Sequence, residues 1–171
     1  MRFFNQLRIL SPVFILILFN TSNVLFAQTT AADKMAELSF MIGDWKGPSK
    51  SYDGKNVKEV TAHEIVQYKL DKHIITIDLE SQSLKLHTVI YYDKKERSYF
   101  YCPYYKKGTG KYRGQLVDGR FKVSFNNERR LWFQLTPNGE FHEYGEHIKD
   151  GQWVTYFEDI LPRNTTSNNK P

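Results

Sequence analysis

The 171-residue chain holds a single cysteine, Cys102, so an intramolecular disulfide is excluded and the hydrophobic core must hold the fold alone. Its 24 Lys and Arg against 19 Asp and Glu give a net charge of +5. The two signs are interspersed, which excludes the clustered basic face of a nucleic-acid-binding protein, and the length suits one domain.

Taken in chain order, the first element is a leader. Arg2 and Arg8 precede the apolar run 13–19, polar residues 20–23 follow, and Ala27 supplies the small residue expected before a cleavage point. The apolar run is shorter than the ~20 residues a membrane span requires. Residues 1–27 therefore read as a signal peptide, and the mature protein as periplasmic or secreted, without a stable membrane span. Removing Arg2 and Arg8 lowers the net charge from +5 to +3. No cysteine follows the cut to carry a lipid.

Residues 28–35 read as a polar linker, and 34–41 as a helical turn or two with Met35, Leu38, Phe40 and Met41 directed inward. From Gly43 onward the pattern is period-two alternation broken by turn dipeptides, with no sustained helical period and no internal repeat. Ten strands are predicted, over 44–52, 57–68, 73–81, 84–92, 97–103, 109–117, 120–126, 129–136, 140–149 and 152–161. Short connections join them all, which makes an all-β, antiparallel, up-and-down meander. Closure into a barrel would remove its edges, and an open sandwich is the alternative. Residues 36–162 form the domain, and the polar stretch 163–171 reads as a disordered tail.

Two-residue turns fix register, and register fixes which residues share a face. A turn at Asn138-Gly139 sets Leu135 opposite His142, Phe133 opposite Tyr144 and Leu131 opposite Glu146. A turn at Asp150-Gly151 sets Ile148 opposite Trp153, Glu146 opposite Thr155, Tyr144 opposite Phe157 and His142 opposite Asp159. The inner face would then carry His142, Tyr144, Glu146 and Asp159, with Glu143 outside among Arg130, Gln134, His147 and Glu158. At Asp118-Gly119, Leu116 meets Phe121, Gly114 meets Val123 and Tyr112 meets Phe125. At Asp71-Lys72, Tyr68 meets Ile75, Val66 meets Ile77 and Glu64 meets Leu79, with His63 and Glu80 outside.

An interior holding His142, Tyr144, Glu146, Asp159, Glu64 and Tyr112 has two readings. The polar groups pair with one another, His142 with Asp159 and Glu146 with Thr155, and fix a filled barrel of purely structural or interaction use. Otherwise they line a solvated pocket for a small polar or amphipathic molecule. Catalysis is a special case of the pocket, with His142 and Asp159 or Glu146 as general acid and base. No two histidines have a metal-ligand spacing; His142 and His147, five apart, fall on opposite faces and cannot share one zinc. Stretch 106–111 lacks the P-loop spacing and reads as a strand connection. Cys102 reads as a buried, inert thiol. The chain is expected to be a monomer or a homodimer.

The opening strand, Ile42-Gly43-Asp44-Trp45-Lys46-Gly47, carries a Gly-x-Trp that resembles the calycin barrels: lipocalins, fatty-acid-binding proteins and nitrobindin-like proteins. Together with Leu70-Asp71-Lys72, Tyr92-Asp93 and Asp150-Gly151-Gln152-Trp153, over residues 36–162, the pattern is most similar to an uncharacterised group of bacterial lipocalin-like domains. The resemblance implies that Trp45, beside Gly43, plugs one end of a barrel. Nitrobindin-like proteins bind haem through a histidine near the barrel's end. Here Pro48-Ser49-Lys50 replaces their Tyr-Pro, so haem as a cofactor would rest on His142 facing inward.

Overall fold

The computed structural model describes residues 29–165; the segment 1–27 read as a signal peptide, residue 28 and residues 166–171 of the segment read as a tail lie outside them. The chain runs through a helix α1 (Ala31–Ala36), a single 3-10 turn (Ser39–Met41) and eleven strands. These are β1 (Gly43–Asp53), β2 (Asn56–Lys69), β3 (Ile74–Ser81), β4 (Lys85–Asp93), β5 (Ser98–Tyr105), β6 (Gly108–Thr109), β7 (Tyr112–Val117), β8 (Arg120–Asn126), β9 (Arg129–Leu135), β10 (Phe141–Lys149) and β11 (Gln152–Leu161). The two-residue β6 only extends the edge of β5. The other ten form one antiparallel meander. It closes because β1 pairs with β11 at one seam and β4 bridges to β5 within the run. Closure leaves no long unpaired edge, and the open sandwich is ruled out.

The helix starts earlier than expected, inside the segment read as a linker. Thr30 and Asp33 form a reciprocal capping box, which satisfies orphan N–H groups and nucleates the turn from Ala31. Met35, Leu38 and Met41 are fully buried and stop one end of the barrel. The Tyr99 hydroxyl lies 2.8 Å from both the Lys34 carbonyl and Glu37 Oε2, and the Tyr68 hydroxyl donates to the Met35 carbonyl at 3.3 Å. Barrel strands thus hold the plug by polar contacts as well as by packing.

Trp45 completes that end. Its indole is fully buried, stacks on Phe141 at 5.4 Å between centroids, and donates from Nε1 to the Met41 carbonyl at 2.8 Å. Gly43 is required beside it, since a Cβ there would sit 2.6 Å from Trp45 Cε2. The Arg163 guanidinium lies over the indole at 4.3 Å, and the Asn164 N–H donates to the Asp44 carbonyl at 2.9 Å. The start of the segment read as a disordered tail is therefore docked on the plugged end.

Three hairpins have the expected two-residue turns. Asp71-Lys72, Asp118-Gly119 and Asp150-Gly151 have positive φ at both central positions, the backbone that matches strand twist. Glu64 consequently faces Leu79, Leu116 faces Phe121 and Ile148 faces Trp153. The hairpin at Asn138-Gly139 differs. A two-residue loop would make Pro137 exchange both N–H···O bonds with Glu140, and proline has no N–H. The loop instead widens to Pro137-Asn138-Gly139. The Thr136 N–H donates to the Glu140 carbonyl at 2.9 Å, and Gly139 alone takes positive φ, at 80°. Register moves by one residue: Phe141 meets Leu135, Glu143 meets Phe133 and Gly145 meets Leu131. Each side chain on this part of β10 changes face.

A β-bulge reconciles β10 with β11. Gly145 pairs with Phe157 but Glu146 with Thr155, which leaves Tyr156 as the extra residue. A Cβ on Gly145 would lie 2.4 Å from Phe157 Cε1 and 2.5 Å from Tyr156 Cζ, so the bulged rings need glycine opposite them.

Removing the indole in Trp45→Ala should lower unfolding stability by ~3–5 kcal/mol, the usual loss for a large buried aromatic. Urea titration followed by circular dichroism measures it; a loss below ~1 kcal/mol would show that the plug does not depend on Trp45.

Candidate functional site

Inward residues divide the barrel across its axis. Toward the plug, the interior is filled by Trp45, Phe141, Phe133, Phe121, Ile75 and Leu161, all fully buried. Toward the opposite end, where the β1–β2, β3–β4 and β8–β9 turns lie, it opens into a cavity of about 650 Å³. Tyr101, Tyr112, Phe125, Leu131, Tyr156 and Phe157 form much of its wall. Lys58, Tyr105 and Arg129 stand at its mouth, with Arg129 over the Tyr156 ring at 4.4 Å.

Between the filled half and the cavity lies a layer of carboxyl groups. Glu64 of β2, Glu143 of β10 and Asp159 of β11 are 0%, 6% and 3% exposed, and one oxygen from each lies within 4.8 Å of the others. Neighbouring strands bring them together: Asp159 is directly opposite Glu143, and β1, whose Ser49 opposes Asp159, carries Trp45 opposite Glu64. No ion pair between described residues involves any of the three. Both Glu64 oxygens and Asp159 Oδ1 lack a hydrogen-bond donor. The Ser49 hydroxyl serves Asp159 alone.

Burial without a counter-charge raises the affinity of such groups for protons. Burial, reinforced by the charge of Asp159, pushes the Glu64 carboxyl up to about 8. Glu143 is held well above the usual carboxylate range by burial and then by Glu64 and Asp159. Burial lifts Asp159 to about 6, the Ser49 hydroxyl opposing the rise. Tyr101, buried beside the same layer, accepts from Thr88 Oγ1 at 3.5 Å.

The residues expected in the lumen divide evenly. Glu64 and Asp159 are in the carboxyl layer, and Tyr112 lines the cavity with its ring edge-on to Phe125 at 4.7 Å. His142, Tyr144 and Glu146 are on the outer surface, because the Pro137 loop reverses their face. There His142 is 2.9 Å from both Gln134 Nε2 and Glu158 Oε1. Glu146 accepts from Arg130 Nε at 2.6 Å and Trp132 Nε1 at 2.9 Å, and Tyr144 stacks on Trp132. The expected pairings of His142 with Asp159 and Tyr144 with Phe157 are replaced by His142 with Ile160 and Tyr144 with Glu158; Glu146 and Thr155 do pair, on the outside. Glu143, expected outside, is the member of the site that pattern reading missed. None of the five histidines lines the cavity, so the ground for a haem ligand or a histidine base in the lumen is removed. Cys102 is 9% exposed, and burial pushes its thiol up.

The closed antiparallel barrel is consistent with a calycin-like fold. The chain matches no model of a known protein family and no curated protein sequence. Among the described residues, no helix is long and apolar enough to cross a membrane.

The raised Glu64 has a stability consequence whose sign is fixed. A carboxyl whose folded pKa exceeds its unfolded value contributes stability at low pH that is lost as pH rises, here between ~4.5 and about 8. In EDTA, wild-type protein should therefore lose stability over that window, by on the order of a few kcal/mol. Glu64→Gln, neutral at every pH, should make the profile shallower, with Glu143 and Asp159 retaining their share of the slope. Urea midpoints at intervals from pH 5 to 8.5 measure both, and parallel profiles would contradict the burial of an ionisable Glu64.

Proposed function

We propose that this chain is an exported, lipocalin-like protein that holds a small amphipathic molecule in the open half of its barrel. The carrying observation is the cavity of about 650 Å³, which falls within the ~300–1,000 Å³ of small-molecule sites. Aromatic rings suit an apolar body, while the serine hydroxyls of β1 and the mouth cations Lys58 and Arg129 suit a polar or anionic end. A barrel serving only as a structural module gains nothing from an unfilled half, since packed interiors leave few voids larger than a water molecule. The leader supports export, and the ordered Gly-x-Trp, Leu-Asp-x and Asp-Gly-x-Trp elements support the lipocalin-like assignment.

Native mass spectrometry of mature protein purified gently from its own host tests the reading. A discrete additional mass, lost on denaturation, is the expected result. Val60→Trp, which projects an indole from the cavity wall, should remove that mass while the circular dichroism spectrum stays unchanged. A bare wild-type mass that no lipid or metabolite extract of the host can increase would overturn the proposal.

A further inference from the structure

We propose that Glu64, Glu143 and Asp159 form a binding site for one hard divalent cation, of the calcium, manganese or magnesium class, at the floor of the cavity. Three strands of a closed sheet converge three carboxylates to within 4.8 Å of one another, about twice the ~2.4 Å at which calcium holds a carboxylate oxygen. Glu64 supplies an independent indication. It is fully buried, it points into the cluster, and neither of its oxygens has a donor; Asp159 Oδ1 is in the same condition. A buried carboxylate is ordinarily paired with a cation or bound to a metal, and among the described residues no cationic side chain pairs with these three.

The donor set selects the ion. It is all oxygen, with no histidine or cysteine in the cluster, which suits hard cations over zinc or copper. Glu143 and Asp159 line the cavity, so an ion enters from the mouth, and positions facing the cavity are completed by water or by a polar group of whatever the cavity holds. The Ser49 hydroxyl orients Asp159 from β1. The site goes beyond the binding of an organic molecule and stands whether or not such a molecule is found.

The test uses the mature protein, stripped with EDTA, dialysed, and titrated near pH 8.5 with CaCl₂, MnCl₂ and MgCl₂ in a calorimeter. TbCl₃ is titrated in parallel, its luminescence excited through Trp45 and Tyr101, which lie beside the cluster. One ion per chain, with a rise in thermal midpoint at saturation, is expected. Asp159→Asn and Glu64→Gln, each shown to be folded by circular dichroism, should weaken binding by at least about tenfold. Absence of both heat and terbium luminescence with folded wild-type protein would overturn the site, whatever the variants do. Binding undiminished in both folded variants would equally overturn it, by placing the ion elsewhere. A protein that retains an organic mass but takes up no cation refutes this site and leaves the proposed function intact.

Discussion

One missing N–H, at Pro137, determines what the interior of this barrel contains. The turn between β9 and β10 must close with a residue that can donate, and Thr136 is the first available. From that substitution of donor follow the facing of Glu143 toward Glu64 and Asp159 and the export of His142, Tyr144 and Glu146 to the surface. The bulge at Tyr156 then absorbs the mismatch with β11, whose Asp150-Gly151 turn keeps its own register. A site built on these strands therefore depends on a loop at the far, plugged end.

Closure gives that arrangement its energetic weight. In an open sheet, three neighbouring carboxylates would be solvated at one face. In a closed barrel they share a small volume whose other half is already occupied by Trp45, Phe141, Phe133 and Phe121, three of whose contacts are stacked rings. The cavity borders the carboxyl layer at Glu143 and Asp159. The resulting proton affinity is a property of the fold, since each group sits on a strand paired on both sides and has little freedom to move apart from its neighbours.

Most of the fold was legible in the sequence, because alternation and turn dipeptides are local signals. The ten barrel strands, the facing of Glu64 and the pairing across Asp118-Gly119 follow from them directly. The composition of the site was legible only in part. Asn-Gly is the strongest short hairpin signal, yet its neighbour Pro137 vetoes the register that the dipeptide implies. Reading the four residues Thr136-Pro137-Asn138-Gly139 together, with proline at the second place and glycine at the fourth, would have shown the wider loop and found Glu143. The bulge at Tyr156 has a fainter trace. Gly145, in the middle of an otherwise well-formed strand, marks a close approach without saying which rings make it. The helix was missed by a few residues for a similar reason, its start resting on the side chains of Thr30 and Asp33 rather than on apolar spacing.

Docking of Arg163 on Trp45 has a geometric consequence of its own. The first helix and Arg163 both lie at the plugged end, and the mouth with Lys58 and Arg129 is at the other. A tag, tether or partner module fused directly before the helix or just after Arg163 would sit at the end remote from the opening. The molecule can be immobilised by its ends with its entrance turned outward, a convenient polarity for a sensor built on this scaffold.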